Sequence, residues 1–515
     1  MVKGICHSWK QPLGYFFLNS TMKASDLLII IQEAIRKIKS IGLKIVGLTL
    51  DMGSNFYQLT QLLNINDRKS YFTIDEEKIY YIFDTPHLLK ATRNNLLQHN
   101  YIYGDKIASW KHIEDFYMID KKAQFRAAPK LTDSHINPNN FEKMKVKYAA
   151  QVLSHSVSAG INTYVSLGSL PAAATFTANF IEKFDKLFDS LNSSKLYSSN
   201  SNKQAFTNTN EQVTYLNETI KFLQSVKVIR KDGKDITNSV KSIKCWIITI
   251  NSILELWNYL QQLLVPIQYL LTRRLNQDSL ENFFGTVRKQ SGNSFNPTPI
   301  QFYYSFKKLF SIDYIKADSG NCAADEESIL IQCQDIRTQN VIFQTSQATS
   351  FINSDIDKYD YRNLPVTEEN VFVYICGYLL RRVFIKHFCD TCALLAERDC
   401  NLDEFRLYSY FKTYDNTNNM FGSLYIPSAV FVNYIRELDT KFFENINIII
   451  ETNVMQKFMQ ILSVIEFSYP CCDFPKIYLL KLFIRVRLYY IIKFINRDIK
   501  TKKRSKKKAI ILCHN

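Results

Sequence analysis

The sequence lacks the hydrophobic signatures that direct a chain into or across a membrane. Residues 1–6 contain no long apolar core before a small-residue cleavage site, so no secretory signal is expected. Residues 477–494 are the most apolar stretch, but four cations interrupt them: Lys481, Arg485, Arg487 and Lys493. Because a spanning helix needs about 20 mostly uncharged residues, this stretch predicts an amphipathic helix, and we expect no membrane partner.

A repeated cysteine motif is also missing. The chain has 11 Cys, and without a secretory signal they predict thiols or metal ligands in a reducing compartment, not a disulfide framework. His387, Cys389, Cys392 and Cys400 are close together in sequence, and Cys471 and Cys472 are adjacent to each other. Since a single CxxC without a second pair is a weak zinc signal, zinc and ordinary buried thiols both stay open.

Acidic residues are too few to balance the basic ones. The chain has 64 Lys and Arg but 48 Asp and Glu, a net charge of +16. Clustered cations gain affinity by displacing counterions from phosphates, so we expect a polyanionic partner, nucleic acid before an acidic membrane surface. Part of the excess forms one basic cluster: Lys500, Lys502, Lys503, Arg504, Lys506, Lys507 and Lys508. This cluster is typical of a nuclear import signal or phosphate-binding tail, or of a solvated, disordered end.

What is present is ample material for packed interiors, since 46% of the residues are hydrophobic. Two buried strands are predicted to end at carboxylates: residues 44–50 before Asp51, and residues 78–83 before Asp84. At the carboxyl edge of an open α/β sheet, such side chains gather where ligands bind. A short aromatic strand is predicted over residues 14–17. Helices are predicted over residues 24–41, 140–156, 172–191 and 241–271, with a polar run at 192–211 and more helix after 367.

Asp278 and Glu281 are three residues apart, so on a helix they share one face, which Asp51 could also approach. Hard cations such as Mg²⁺ prefer carboxylate oxygens, and two of them about 3.5–4 Å apart can drive phosphodiester cleavage. Taken alone, a pair of acidic residues at this spacing is more often a solvated helix face or a cap.

Several motifs follow one another along the chain: Trp9-Lys-Gln-Pro, Asp51-Met-Gly-Ser-Asn55, the segment from Asp84 to Asn95, Lys145-Val-Lys-Tyr-Ala-Ala-Gln151, and the segment from Arg273 to Gly285. In type and order these motifs resemble those of the P-element transposases and their relatives with an amino-terminal THAP zinc finger. The resemblance implies an α/β fold with an RNase H-like core, interrupted by a mostly helical insertion, and a helical carboxyl-terminal region. The implied domains are 1–97 and 267–315 for the core, 98–266 for the insertion, 316–364 for a linker, and 365–515.

The resemblance also implies an Asp-Asp-Glu triad that binds Mg²⁺ or Mn²⁺. Asp51 matches the second Asp and Glu281 the Glu, so these two are the implied metal ligands. The first Asp belongs on a strand upstream of Trp9, so we expect this chain to lack it, together with the THAP finger. Asp84 and His87 match residues that lie beside the active site and position the scissile phosphate; the alternative is a strand-end Asp that caps a helix. Lys90 and Arg93 are further phosphate candidates.

In P-element transposases the insertion binds GTP. The resemblance places Lys130, Lys145, Val146 and Ser154 on the phosphate and ribose side, Asp189 and Asn192 near the base, and Asp278 reaching in from the catalytic helix. Lys can neutralise phosphates, and an Asp can accept two guanine N–H donors. The chain has no GxxxxGK[ST] loop that would support this from sequence alone.

The expected function is therefore cut-and-paste DNA transposition in the nucleus, with DNA and GTP as partners and a homo-oligomer on DNA. Whether this chain is itself an enzyme stays open, because of the expected missing Asp. A catalytically inactive DNA- and nucleotide-binding protein is the leading alternative. A third possibility is an interaction protein without DNA affinity, which salt-sensitive retention on DNA would exclude.

Overall fold

The computed structural model describes residues 1–19, 21–198, 200–263, 265–290, 296–315, 364–397, 401–414, 420–449 and 454–491. They form two compact units, each built from separate segments. Unit 1 contains Met1–Thr92, Lys186–Lys227 and the described residues from Ile236 to 315. Unit 2 contains Arg93–Asp185, Val228–Asp235 and the described residues from 364 onward. Residues 316–363 of the predicted linker, Cys400 and the basic cluster lie outside the described residues.

The helices and strands follow one another along the chain in three stretches. The first has β1 (Val2–Lys3), β2 (Lys10–Gln11), α1 (Ala24–Ser40), β3 (Gly47–Leu50), α2 (Ser54–Leu62), β4 (Tyr71–Ile74), β5 (Glu77–Phe83) and α3 (Thr85–Gln98). The second has β6 (His99–Tyr103), β7 (Lys106–Ala108), α4 (Trp110–Asp120), α5 (Asp133–Ile136), α6 (Asn140–Lys143), α7 (Val146–Val152), α8 (His155–Ser166), α9 (Ala174–Ser190), α10 (Asn210–Ser225), β8 (Lys227–Arg230) and α11 (Lys241–Gln261). The third has α12 (Asp278–Gln290), α13 (Pro299–Ile315), α14 (Val366–Phe384), α15 (Asp390–Ala393), β9 (Ala396–Glu397), α16 (Leu407–Lys412), β10 (Ile426–Pro427), α17 (Ala429–Ile449) and α18 (Val454–Ser463), before the helical residues 476–491.

A mixed sheet with the order β3-β5-β4 lies at the centre of unit 1. β3 pairs in parallel with β5, and β4 pairs with β5 in the antiparallel direction. Residues Ile79 to Phe83 of β5 are all buried, because a central strand covered on both faces needs an uninterrupted apolar run. The two strands predicted to end at Asp51 and Asp84 are confirmed.

Helix α11 packs on β5 and fixes it by polar contacts as well as by apolar burial. The Phe83 amide of β5 donates to Thr249 Oγ1 at 3.1 Å. The same helix also contacts α3, where the buried Trp246 indole donates to Thr92 Oγ1 at 3.0 Å. This helix lies within the predicted insertion over 98–266. Its contacts instead group it with the sheet in unit 1.

Unit 2 is mostly helical, with a small β7-β6-β8 sheet. Helix α8 packs on α4 and α16, and α14 packs on α16 and α17. The close approach of α8 requires Gly160, because a Cβ there would lie 2.6 Å from Phe116 Cζ. Tyr408 is buried between these helices and donates to the Ala127 carbonyl at 2.7 Å.

Three predicted elements differ from the observed ones. The strand over 14–17 is wrong: these residues are irregular, and the Tyr15 ring packs 4.9 Å from the Phe302 ring. The single helix predicted over 140–156 is divided into α6, α7 and the start of α8. Asn139 and Glu142 form a capping box that starts the short helix α6. Ser154 has an extended backbone and separates α7 from α8. The helix over 241–271 ends at Gln261. None of the described helices combines the length and apolar content needed to span a bilayer.

Candidate active site

The two predicted strand-end carboxylates lie at the same edge of the unit 1 sheet. The last residues of β3 and β5, Leu50 and Phe83, are paired, and the Asp84 amide donates to the Leu50 carbonyl at 2.8 Å. Asp51 and Asp84 therefore follow neighbouring parallel strands directly. This is the edge where polar ligands are bound in open α/β sheets.

Asp51 is held by the turn that connects β3 to α2. Its Oδ1 accepts a hydrogen bond from the Gly53 amide at 2.7 Å. A Cβ at Gly53 would lie 3.0 Å from that same oxygen and 2.9 Å from Asn55 Oδ1. The glycine of the Asp51-Met-Gly-Ser-Asn55 motif thus leaves the space in which the carboxylate is oriented.

Asp84 is 1% exposed and both of its oxygens accept from backbone amides. Oδ1 accepts from Gln277 N at 2.7 Å, and Oδ2 accepts from His87 N at 3.1 Å. Burial raises the pKa of the Asp84 carboxyl above its usual value, while the hydrogen bond from Gln277 and the neighbouring His87 oppose that rise. With its oxygens engaged in this way, Asp84 joins the end of β5 to the start of α12 and fits a positioning role.

His87, in the first turn of α3, lies between two carboxylates. Its Nε2 is 3.2 Å from Glu281 Oε1, and its Nδ1 is 3.4 Å from Asp84 Oδ2. The hydrogen bond with His87 lowers the pKa of Glu281, and Lys90 and Arg288 add to this effect by their charge. Asp84, His87 and Glu281 therefore form a continuous row of contacts that keeps Glu281 ionised.

The segment before α12 is fixed to β3 by residues that were not among the predicted site residues. Thr49 Oγ1 donates to the Leu275 carbonyl at 2.8 Å, and Gln277 Nε2 donates to the Thr49 carbonyl at 3.4 Å. Lys3 Nζ donates to the Asn276 carbonyl. Burial lowers the pKa of Lys3 to about 8, although Asp278 and Asp84 oppose this. These contacts set the position of Glu281, one turn into α12.

The donor chemistry of Asp51 and Glu281 fits a hard divalent cation, which prefers carboxylate oxygens. Among the residues that the structure describes, however, neither Asp51 nor Glu281 belongs to a group of three or more side chains that could hold a metal ion. Glu281 is 52% exposed on its side chain and in contact with His87. Their role as metal ligands therefore stays a prediction.

The residues proposed for nucleotide binding are divided between the two units. In unit 2, Lys130 and Lys145 are exposed, Val146 begins α7, and Ser154 precedes α8, where its hydroxyl donates to the Gln151 carbonyl at 3.0 Å. The Lys145 ammonium lies 5.0 Å from the centre of the Tyr148 ring.

The remaining three proposed nucleotide residues belong to unit 1. Asp189 Oδ2 lies 3.6 Å from Lys203 Nζ, and burial raises the pKa of Asp189 while Lys203 opposes the rise. Asn192 Oδ1 accepts from Asn276 Nδ2 at 2.8 Å. Asp278 accepts from Arg273 Nε at 2.9 Å.

The suggestion that Arg93 contacts phosphate is wrong. Arg93 is fully buried in unit 2, and its Nη2 donates to the Lys143 carbonyl at 3.0 Å. Burial also lowers the pKa of its guanidinium to about 10. Arg93 therefore has a structural role beneath the surface.

Three family models match successive parts of the chain. A TNP-like RNase H N-terminal domain matches residues 1–64, a TNP-like GTP-binding insertion domain matches residues 86–205, and a TNP-like RNase H C-terminal domain matches residues 274–307. The predicted fold class, an RNase H-like core interrupted by an insertion, is confirmed.

Two curated proteins and one solved structure are similar to this chain. The Transposable element P transposase of Drosophila melanogaster is 26% identical over an alignment 518 residues long, gaps included. The alignment covers 98% of this chain and 64% of that protein. The DNA transposase THAP9 of Homo sapiens is 27% identical over 330 residues, 60% of this chain and 35% of that protein. The Drosophila P element transposase strand transfer complex has a chain that is 30% identical with a TM-score of 0.54; the match covers 62% of this chain and 70% of that one.

Proposed function

Because this chain belongs to the family of P-element-type DNA transposases, we propose that unit 1 forms part of a site that cuts and rejoins DNA. The observation that supports this most is the row of contacts Asp84, His87 and Glu281 at the sheet edge that also presents Asp51. Acidic residues at that edge are the groups that metal-dependent phosphodiester chemistry requires.

Each residue of the site has a separate task in this proposal. Asp51 and Glu281 would hold Mg²⁺ or Mn²⁺, and a bound cation supplies the charge that activates the attacking oxygen and stabilises the leaving oxygen. His87 orients the Glu281 carboxylate and keeps it ionised. Asp84 holds His87 and the start of α12 through the His87 and Gln277 amides. The resemblance implies one further carboxylate on a strand upstream of Trp9.

The proposal is tested by divalent-metal-dependent cleavage of DNA that carries the element's terminal repeats. The assay compares this chain, the chain extended by its upstream reading frame, and Glu281→Gln in both. Glu218→Gln is the matched control, because Glu218 is an exposed acid of α10 in the same unit. We expect cleavage by the extended chain, lost in Glu281→Gln and retained in Glu218→Gln.

Other outcomes of the assay lead to different conclusions. Equal cleavage by Glu281→Gln and the unsubstituted chain would contradict the assignment of Glu281. Cleavage by this chain without extension would contradict the expected upstream carboxylate. DNA binding without cleavage by either form would favour the alternative function, a catalytically inactive DNA- and nucleotide-binding protein.

We further propose that the insertion binds GTP, which the match to a GTP-binding insertion domain over residues 86–205 supports. The exposed Lys145 at the start of α7 would neutralise phosphate charge. Lys147→Ala is a matched control, because Lys147 is an exposed lysine of the same helix. Removing one charge-assisted contact costs about 1.5–3 kcal/mol, so we expect Lys145→Ala to weaken binding of a fluorescent GTP analogue by about ten-fold or more.

The control at Lys147 distinguishes a specific phosphate contact of Lys145 from a general effect of positive charge on nucleotide binding. Lys147→Ala should bind the analogue as the unsubstituted chain does, and unlabelled GTP should compete better than ATP. Equal losses in both lysine variants would indicate a general charge effect, and equal competition by ATP would contradict guanine recognition. The assembly on DNA is proposed to be a homo-oligomer, which light scattering of the DNA-bound protein would test.

A further inference from the structure

Four side chains of unit 2 that have no part in the proposed chemistry come together in space. The ligand atoms of His387, Cys389, Cys392 and Cys471 all lie within 4.8 Å of one another. Cys471 Sγ is 3.4 Å from Cys392 Sγ and 3.2 Å from His387 Nε2. Cys392 is buried, while the other three are partly exposed.

Local backbone structure positions three of these four side chains. His387 follows α14 in a turn in which its amide donates to the Val383 carbonyl. Cys389 precedes α15 as its N-cap, and the Cys392 amide donates to Cys389 Sγ at 3.4 Å. An amide that donates to a sulfur stabilises a thiolate, which is the form that binds metal.

The fourth side chain comes from a distant segment. Cys471 lies 79 residues after Cys392, in the loop before the helical residues 476–491. The sequence pattern showed only one CxxC and could not supply this partner. The structure completes a set of one imidazole and three thiols.

The geometry excludes an existing disulfide and fits a tetrahedral metal. A disulfide requires a sulfur–sulfur distance of about 2.05 Å, much shorter than the observed 3.4 Å. In a tetrahedral zinc site with Zn–S bonds of about 2.3 Å, sulfurs lie about 3.8 Å apart. The Cys392 and Cys471 sulfurs, 3.4 Å apart, would have to separate by only a few tenths of an ångström to reach that geometry.

We propose that His387, Cys389, Cys392 and Cys471 bind one structural Zn²⁺ ion. A set of four protein ligands with three cysteines closes the coordination sphere, which is typical of a structural and not a catalytic zinc site. The ion would cross-link the turn after α14 to the loop before residues 476–491, two segments that are far apart in sequence. Since the binding free energy of a structural zinc is also folding free energy, the site would stabilise unit 2.

The first test is the metal content of the untagged chain, purified in reducing buffer and dialysed against a mild chelator. We expect one zinc per chain in the unsubstituted protein and in Cys472→Ser, and loss of zinc in Cys471→Ser and Cys392→Ser. Cys472 is the matched control because it is adjacent to Cys471, exposed and outside the cluster. Zinc content that is the same in Cys471→Ser as in Cys472→Ser, or near zero in all proteins, would overturn the proposal.

A second measurement uses the unsubstituted chain, so that a misfolded variant cannot decide the result. Replacement of zinc by Co²⁺ should give thiolate charge-transfer and d–d absorption bands of tetrahedral intensity. Removal of the metal should expose three additional thiols to a thiol reagent. A chain without metal and with two fewer titratable thiols would instead contain a Cys392–Cys471 disulfide, which would overturn the proposal.

Discussion

At the scale of single residues, His87 is the side chain that positions the candidate metal ligand Glu281 in the proposed active site. It contacts Glu281 through one ring nitrogen and approaches Asp84 with the other. An imidazole between two carboxylates can fix the orientation of the more exposed one. Glu281, with 52% of its side chain exposed, would otherwise sample many rotamers on the surface of α12.

The first prediction concerns the pH dependence of this contact. The pKa of Glu281 is lowered in the folded chain mainly by its hydrogen bond with His87. The stabilisation is therefore present above the unfolded pKa of about 4.3 and is lost as pH falls through the lower, folded pKa. We expect His87→Gln to raise the pKa of Glu281 and, in the extended chain, to move the acid limb of the pH–rate profile for DNA cleavage to higher pH.

The same substitution should change the stability of the chain very little. Because Glu281 is half exposed, water screens the contact, and its loss should cost less than about 1 kcal/mol. His7→Gln is the control, since His7 is an exposed histidine of the same unit. An acid limb that stays in place in His87→Gln would show that His87 does not set the ionisation of Glu281.

At the scale of helices and strands, unit 2 contains a buried ion pair that joins α17 to the helical residues 476–491. Arg487 Nε lies 2.5 Å from Asp439 Oδ1, and the two side chains are 2% and 6% exposed. The Arg487 guanidinium also donates to Gln124 Oε1 at 2.8 Å and lies 4.1 Å from the centre of the Phe125 ring. Burial raises the pKa of Asp439 to about 6, although Arg487 and Arg436 oppose this.

The second prediction follows from the cost of a buried charge without its partner. Arg487→Met should destabilise unit 2 by about 3–5 kcal/mol, because it leaves Asp439 buried and unpaired. The loss should shrink as pH falls, because protonation removes the unpaired charge, and without Arg487 the pKa of Asp439 lies higher than in the intact pair. The double variant Asp439→Leu with Arg487→Met should recover most of the loss, because an apolar pair of similar volume avoids the desolvation of both ions.

Urea unfolding of each variant measures these differences. The exposed pair of Lys441 and Glu444 on the same helix provides the control, and Lys441→Ala should cost less than about 1 kcal/mol. A double variant as unstable as Arg487→Met alone would mean that the ion pair is needed for the packing of α17 itself.

The elements show which parts of the structure could be predicted from sequence and why. The strands β3 and β5 were predictable because residues 44–50 and 78–83 are short runs rich in β-branched, aromatic and other apolar residues, and Asp51 and Asp84 follow them directly. The contact of Asp84 with the Gln277 amide was not predictable, since it joins a side chain to a backbone group 193 residues away. The wrong strand at 14–17 has the same cause: its three consecutive aromatic residues favour a strand, but Tyr15 packs on Phe302 and Phe306 of α13, which lie far along the chain.

At the scale of the whole molecule, charge is the property that most directly determines the partner. The net charge of +16 should attract DNA regardless of its sequence, and the affinity should fall steeply with salt. The Lys and Arg residues of the basic cluster account for only part of the excess. Nuclear localisation is likewise a proposal that rests on this cluster.

The last prediction separates the two roles proposed for the basic cluster. Lys506→Gln, Lys507→Gln and Lys508→Gln together remove three charges, as do Lys227→Gln, Lys231→Gln and Lys234→Gln on exposed positions of the β8 hairpin region. If the cluster binds phosphate, the first triple variant should reduce the slope of log affinity against log salt by up to about 2.7, because each phosphate contact contributes about 0.9. The control triple should leave the slope unchanged.

A fluorescent fusion of each variant tests nuclear import independently of DNA binding. Loss of nuclear accumulation with an unchanged salt slope would assign the cluster to import, and the reverse result would assign it to DNA. If both measurements match the control triple, the cluster is a solvated end without either role. The affinity for DNA must then come from cations of units 1 and 2. After either triple substitution the net charge stays at +13, which is +16 less three. A net charge of that size still attracts a polyanion.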